Sequence, residues 1–198
     1  MIRLLLIRHG VTDWNEQKRI QGHTDVPLID TSKRLWGRRR LPPEYQPATW
    51  VSSPLRRARE TAECLGAVAL RVDERLTEMN WGEWEGRQLA DLRVELGEEM
   101  HENEARGLDF RPAGGESPRE VRDRIADWLA ACLAIDETLA VVTHKGVIRA
   151  ALSLATGWDM RDKFSQRLDW DCAHCFHLEA GPTLRMGRVN ISLEGERA

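Results

Sequence analysis

The sequence predicts an α/β fold, a three-layer α/β/α sandwich whose central sheet is mostly parallel with an antiparallel edge strand. Three observations lead there. Short apolar runs at 2–7, 49–52, 68–72 and 138–143 alternate with longer segments of helical period. Two of those helical segments open on a Ser-Pro pair, a helix-start signal. The tail "AHCFHLEAGPTLRMGRVNIS" breaks at Gly181-Pro182 into two strand-like halves. With 198 residues, 41% hydrophobic and 31% charged, the chain reads as one domain over 1–198 with a sizeable core.

The run Ile2–Ile7 is the first strand, apolar but for Arg3, and reads as a buried strand. A helix follows from about Asp30 to Leu41, and the charges of "KRLWGRRR" form its solvated face, since no aromatics interleave them as a nucleic-acid surface requires. Thr49–Ser52 is the second strand. Ser53 then caps, and Pro54 starts, a helix over Leu55–Leu65 that Gly66 closes. Val68–Val72 is the third strand. The stretch from Met100 to Gly115 carries Asn103, Gly107, Pro112 and Gly114 and reads as one long irregular loop, a candidate lid at 100–115.

The segment "GGESPREVRDRIADWLAACL" is a strong helix signal. Ser117 caps, Pro118 opens the first turn, and Glu120 completes a capping box; Val121, Ile125, Trp128, Leu129 and Cys132 share one face. Thr138–Thr143 is the fourth strand and a helix runs over Gly146–Thr156. The late "DCAHCFH" invites zinc through Cys172, His174, Cys175 and His177. Strand alternation sends Cys175 and His177 to one face and His174 to the other, which argues for an ordinary strand.

A net charge of −3 gives no general drive toward nucleic acid or an anionic membrane. Leu4–Ile7 is too short for a signal-peptide core, and no stretch approaches the roughly 20 apolar residues of a membrane span. Four unevenly spaced cysteines read as reduced thiols, so a cytoplasmic protein is expected. The sequence leaves monomer and homodimer both open.

In an open α/β sheet, ligands bind beyond the carboxyl ends of the strands, and chemistry gathers there in this chain. Arg8-His9-Gly10 follows the first strand, "SSPLRRARETA" with Arg56 and Arg57 the second, "RLTEMNWGEWEG" with Glu78 the third, and "VTHKG" with His144 the fourth. Arginine forks match phosphate oxygens. A histidine near neutrality attacks through one ring nitrogen while a hydrogen bond holds the other, and a carboxyl group protonates the leaving oxygen and then activates water. Together these parts make a phosphoryl-transfer centre that needs no metal and no cofactor.

The ordered set RHG, "SSPLRRARETA", "LTEMNWGEWEG", "GGES" and "VTHKGVIRA" resembles the histidine phosphatase superfamily, which also contains the cofactor-dependent phosphoglycerate mutases. The resemblance implies a phosphoglycerate mutase-like fold, with His9 as nucleophile and His144 as the second histidine stabilising the transferring group. It makes Arg8, Arg57 and Asn15 phosphate ligands and Glu78 the proton donor, with Glu83 and Glu85 as competing carboxylates. Arg56 is expected to face outward or reach the rim. Many members carry glycine after the second histidine; here Lys145 stands there, and its added ammonium is a candidate for anion binding.

Family mutases are longer and supply a basic residue after the glutamate segment and an arginine pair in a lid insertion. This chain has Leu89 at the first place and Arg106 and Arg111, not adjacent, in the second. Those departures favour hydrolysis of a small phosphorylated metabolite, with the small phosphatases acting on α-ribazole phosphate sharing a similar "P-x-GGES" segment. The alternatives are a mutase and a phosphate-binding scaffold without turnover. Trp14, Trp81 and Trp84 are expected to line the pocket.

Overall fold

The computed structural model describes residues 1–133 and 137–195, the last two as backbone. The chain runs β1 (Ile2–Arg8), α1 (Asp13–Glu16), α2 (Asp30–Gly37), β2 (Arg39–Arg40), β3 (Thr49–Ser52), α3 (Arg56–Cys64) and β4 (Leu70–Val72). It continues through α4 (Leu89–Leu96), α5 (Glu98–Glu104), α6 (Pro118–Cys132), β5 (Leu139–Thr143), α7 (Lys145–Thr156), β6 (Ala173–Glu179), β7 (Thr183–Met186) and β8 (Glu194–Gly195). The main sheet has the order β4-β3-β5-β1-β6-β7. Its first four strands are parallel, and β6 and β7 add the antiparallel edge.

The side-chain alternation of β1 divides its apolar run between two cores. Leu4 and Leu6 pack with Val121, Ile125 and Leu129 of α6 and Ile148 of α7, while Leu5 and Ile7 pack with Trp36 of α2 and Ala58 and Ala62 of α3. Both faces of the sheet are therefore covered, which is why β1 and β5 are apolar at nearly every position. Each fully buried Leu or Ile contributes about 1.5–3 kcal/mol, so β1 is anchored from both sides. α6 starts as its sequence implies: the Ser117 hydroxyl accepts from Glu120 N at 3.3 Å and the Glu120 carboxylate accepts from Ser117 N at 2.8 Å.

Four details depart from the expectations. Helix α2 stops at Gly37, and Arg39–Arg40 pairs with β8 instead of continuing the helix to Leu41. Ser53 does not cap α3, which begins at Arg56 with Leu55 in the N-cap position; the Ser53 hydroxyl instead meets the His144 ring and accepts from Leu55 N at 3.3 Å. Residues 100–115 are not one irregular loop: α5 and a 3-10 turn at Gly107–Asp109 occupy much of the stretch, and Met100, Leu108 and Phe110 are buried. The long irregular segment is instead 157–172, entered where Gly157 ends α7 at φ +74. Among the described residues no helix is long and apolar enough to cross a membrane, and all four cysteines are unpaired.

Candidate active site

Parallel pairing of β1 with β5 sets Arg8 beside Thr143, so the residues that follow, His9 and His144, emerge side by side at the carboxyl edge. Their ring centres lie 5.1 Å apart. His9 extends the ladder by donating its backbone N–H to Thr143 O at 2.9 Å. Its ring is oriented by Nδ1, which donates to Gly10 O at 2.7 Å, so the proton sits on Nδ1 and Nε2 keeps its lone pair. The Gly10 peptide is itself held, donating to the Thr61 hydroxyl at 2.9 Å while that hydroxyl donates to Arg57 O at 2.7 Å. Gly10 has to be glycine here, since a Cβ would lie 2.4 Å from Ser32 Oγ and 2.5 Å from Trp36 Nε1.

His144 is fully buried at the N-cap position of α7. Its Nε2 lies 2.7 Å from the Ser53 hydroxyl, and its Nδ1 is buried without a partner. A buried ring nitrogen with no protein partner is free for a ligand. Burial first, and the Arg57 charge second, hold both imidazoles well below the usual histidine range, so both are neutral at pH 7.

The two arginines carry positive charge into this desolvated corner. Arg57 is fully buried; Nη1 and Nη2 donate to Thr24 O at 2.8 Å and Gly22 O at 2.7 Å, and Nε has no partner. The Arg8 Nε is likewise buried and unpartnered. Among the described residues neither guanidinium forms an ion pair with a carboxylate. Burial lowers the pKa of both, opposed chiefly by the nearby Glu78 charge. Such a pair is complete only with an anion.

Three carboxylates competed for the role of acid, and position separates them. Glu78 reaches the start of α7, where Oε1 accepts from Met79 N at 2.8 Å and Gly146 N at 3.1 Å. A Cβ on Gly146 would lie 2.3 Å from that oxygen, so the glycine makes room for the carboxylate. Glu85 instead accepts from the backbone N–H groups of His23 and Thr24 and from the Thr24 hydroxyl, fixing the loop whose carbonyls hold Arg57. Glu83 is exposed.

Asn15 closes the capping box of α1, where Oδ1 accepts from Thr12 N at 3.1 Å and leaves the amide nitrogen as the free end. Arg56 faces outward and pairs with Glu60 at 2.8 Å. A cleft of about 740 Å³ opens beside Glu78 and Gly146, walled by Trp81, Lys145, Arg149, Trp158, Phe164 and Trp170. Of the three expected tryptophans only Trp81 lines it: Trp84 is buried in the core, and Trp14 packs over Gly86. The sequence reading missed Arg149, Trp158 and Trp170; the four-residue spacing of Lys145 and Arg149 was the available signal. Among the described residues no group of three or more His, Cys, Asp or Glu side chains is placed to hold a metal.

Residues 4–183 match the family model described as histidine phosphatase superfamily (branch 1). A glucosyl-3-phosphoglycerate phosphatase of Mycobacterium tuberculosis is 34% identical over 174 residues, covering 77% of this chain and 74% of the relative. Phosphoglycerate mutase-like protein 4 of Arabidopsis thaliana is 34% identical over 158 residues, 74% of this chain and 68% of the relative. The solved structure of mycobacterial glucosyl-3-phosphoglycerate phosphatase in complex with VO3 superposes with a TM-score of 0.79 at 26% identity, covering 96% of this chain and 99% of that one.

Proposed function

The chain belongs to the histidine phosphatase superfamily, branch 1, a family of enzymes, and from that membership we propose that it hydrolyses a small phosphomonoester through a phosphohistidine on His9. The observation that carries this reading is two arginines without an ion-pair partner, Arg57 fully buried and Arg8 with its Nε buried, beside a neutral imidazole whose Nε2 lone pair is free.

In the first step His9 Nε2 attacks phosphorus, the bond to the leaving oxygen breaks, and Glu78, in its acid form, protonates that oxygen. Arg8, Arg57, the Asn15 amide and the His144 ring take the three non-bridging oxygens, with Lys145 adding positive charge from the cleft side. In the second step a water attacks phosphorus as Glu78 accepts its proton, the N–P bond breaks, and inorganic phosphate leaves with His9 restored. Arg57 is held by the Gly22 and Thr24 carbonyls before substrate arrives, so little reorganisation is needed as charge develops.

Hydrolysis is favoured over mutase chemistry by the residues at the mutase positions. Leu89 is apolar in the cleft wall, Arg111 is paired with Glu120, and Arg106 is exposed. The proposal extends to a cytoplasmic protein whose 1–198 acts as one domain on a small phosphorylated metabolite.

The test is a panel of phosphomonoesters, including phosphoglycerates and α-ribazole phosphate, assayed in EDTA. We expect phosphate release from at least one member, and 32P trapped on His9 at acid quench, both absent in His9→Ala. No hydrolysis across the panel would overturn the reading, and label at His9 without turnover would leave a binding scaffold. Isomerisation of phosphoglycerate that depends on bisphosphoglycerate would make it a mutase.

A further inference from the structure

Lys145 and Arg149 stand four residues apart on α7, the spacing that brings two side chains together on one helix face, and both line the cleft. Like charges so placed destabilise a helix by about 0.2–0.5 kcal/mol, and positive charge in a first turn opposes the helix dipole. Neither cation has an ion-pair partner among the described residues. Each lies instead against an indole: Lys145 Nζ is 5.3 Å from the Trp170 ring centre, and the Arg149 guanidinium carbon is 5.1 Å from that of Trp158. Burial lowers the pKa of both, and the Arg149 charge lowers that of Lys145 further. Other carboxylates of the cleft are engaged, Glu78 by backbone N–H groups and Glu104 by Arg93 at 2.7 Å, while Asp162 sits exposed next to Lys163.

Resting on the reading that the ester is cleaved at His9, we propose that Lys145 and Arg149 form a second anion subsite, and that the substrate's leaving group carries a carboxylate or a second phosphate. The indoles keep both cations oriented before the ligand arrives, Arg149 half-buried and Lys145 exposed. Arginine's fork takes either anion through two parallel hydrogen bonds. The cleft begins at Glu78, the donor to the leaving oxygen, so whatever is bonded to that oxygen extends toward the two cations. An anion there also relieves the repulsion between the two cations along α7, adding to the opposing Glu78 charge.

The experiment reads binding without turnover. His9→Ala protein is titrated by calorimetry with three ester pairs that differ in charge at the far end: phosphoglycolate with 2-hydroxyethyl phosphate, 3-phosphoglycerate with glycerol 3-phosphate, and fructose 1,6-bisphosphate with fructose 6-phosphate. We expect the more anionic member of at least one pair to bind about tenfold tighter, the scale of one charge-assisted contact. Adding Arg149→Met should abolish that preference and leave the less charged partner within about twofold, and Arg149→Lys should restore part of it. Absence of a preference in all three pairs, or equal weakening of both members by Arg149→Met, would overturn the subsite. Loss of hydrolysis in the wild type would instead overturn the phosphatase reading, since the titration requires none.

Discussion

A guanidinium taken out of water without an ion-pair partner is held against its own solvation, and Arg8 and Arg57 also repel each other, opposed by the Glu78 charge. Binding of an anion between the two arginines is therefore expected to stabilise the fold. Arg8→Met is expected to lower kcat/KM by roughly 10²–10³-fold, the scale of losing one donor to the transition state. The same change should leave the melting temperature in phosphate-free buffer equal or higher, and should abolish the stabilisation by added vanadate that is expected of the wild type. A variant that melts well below the wild type would show that Arg8 serves the fold instead. At this scale the sequence displayed His9, Arg8 and Arg57 because short motifs carry them. It did not display the partner of Ser53, whose hydroxyl meets His144 across 91 residues. No window of sequence contains that contact.

The start of α7 concentrates more function than any other element. His144 precedes it, Lys145 and Arg149 face the cleft, and Gly146 gives Glu78 both an N–H and the room to reach it. By helix propensity alone Gly146→Ala is stabilising, by up to ~1 kcal/mol. Its Cβ, however, falls 2.3 Å from Glu78 Oε1, so the carboxylate has to move. We expect kcat to drop at least about tenfold while the circular dichroism spectrum and melting temperature change little, because the displacement is confined to the Glu78 carboxylate, the proposed proton donor. An active Gly146→Ala enzyme would move the acid to another group. Elements with signals inside one turn were legible, α6 above all, through Ser117, Pro118 and Glu120. Segment 157–172 was not, because its aromatic residues follow neither a helical nor a strand period and are ordered by the cleft they enclose. Helix α2 was overextended for a similar reason, since Arg39–Arg40 pairs with Glu194–Gly195 at the far end of the chain.

For the whole molecule, the two neutral imidazoles tie stability to pH. In the unfolded chain each histidine titrates near about 6.5, whereas in the fold burial and Arg57 keep His9 and His144 well below that. Below about pH 6.5 the unfolded state therefore takes up protons that the folded state refuses, and stability falls as pH falls. The slope is about 1.4 kcal/mol per pH unit for each imidazole until its folded pKa is reached, and the contribution is fully present above about pH 7.5. Urea midpoints in phosphate-free buffer should drop clearly between pH 7.5 and 5.5, with His174, pushed down to about 4 by burial, adding in the same direction; a flat profile would mean that the rings take up protons in the fold as readily as in the unfolded chain. The order of strands was legible only as a class. Alternation of strand and helix implies a parallel sheet, but the placing of β1 between β5 and β6 comes from long-range pairing.

That pairing has a consequence in time. Leu4 meets Leu139 and Arg8 meets Thr143 across 135 residues, so during synthesis β1 waits for β5 before its carboxyl end meets its neighbours. Until β5 and the first turn of α7 are synthesised, His9 has no partner ring, Glu78 has no helix terminus, and the two arginines stay in water. A nascent chain that ends before Gly146 lacks that arrangement, and the candidate site is assembled in a single late event.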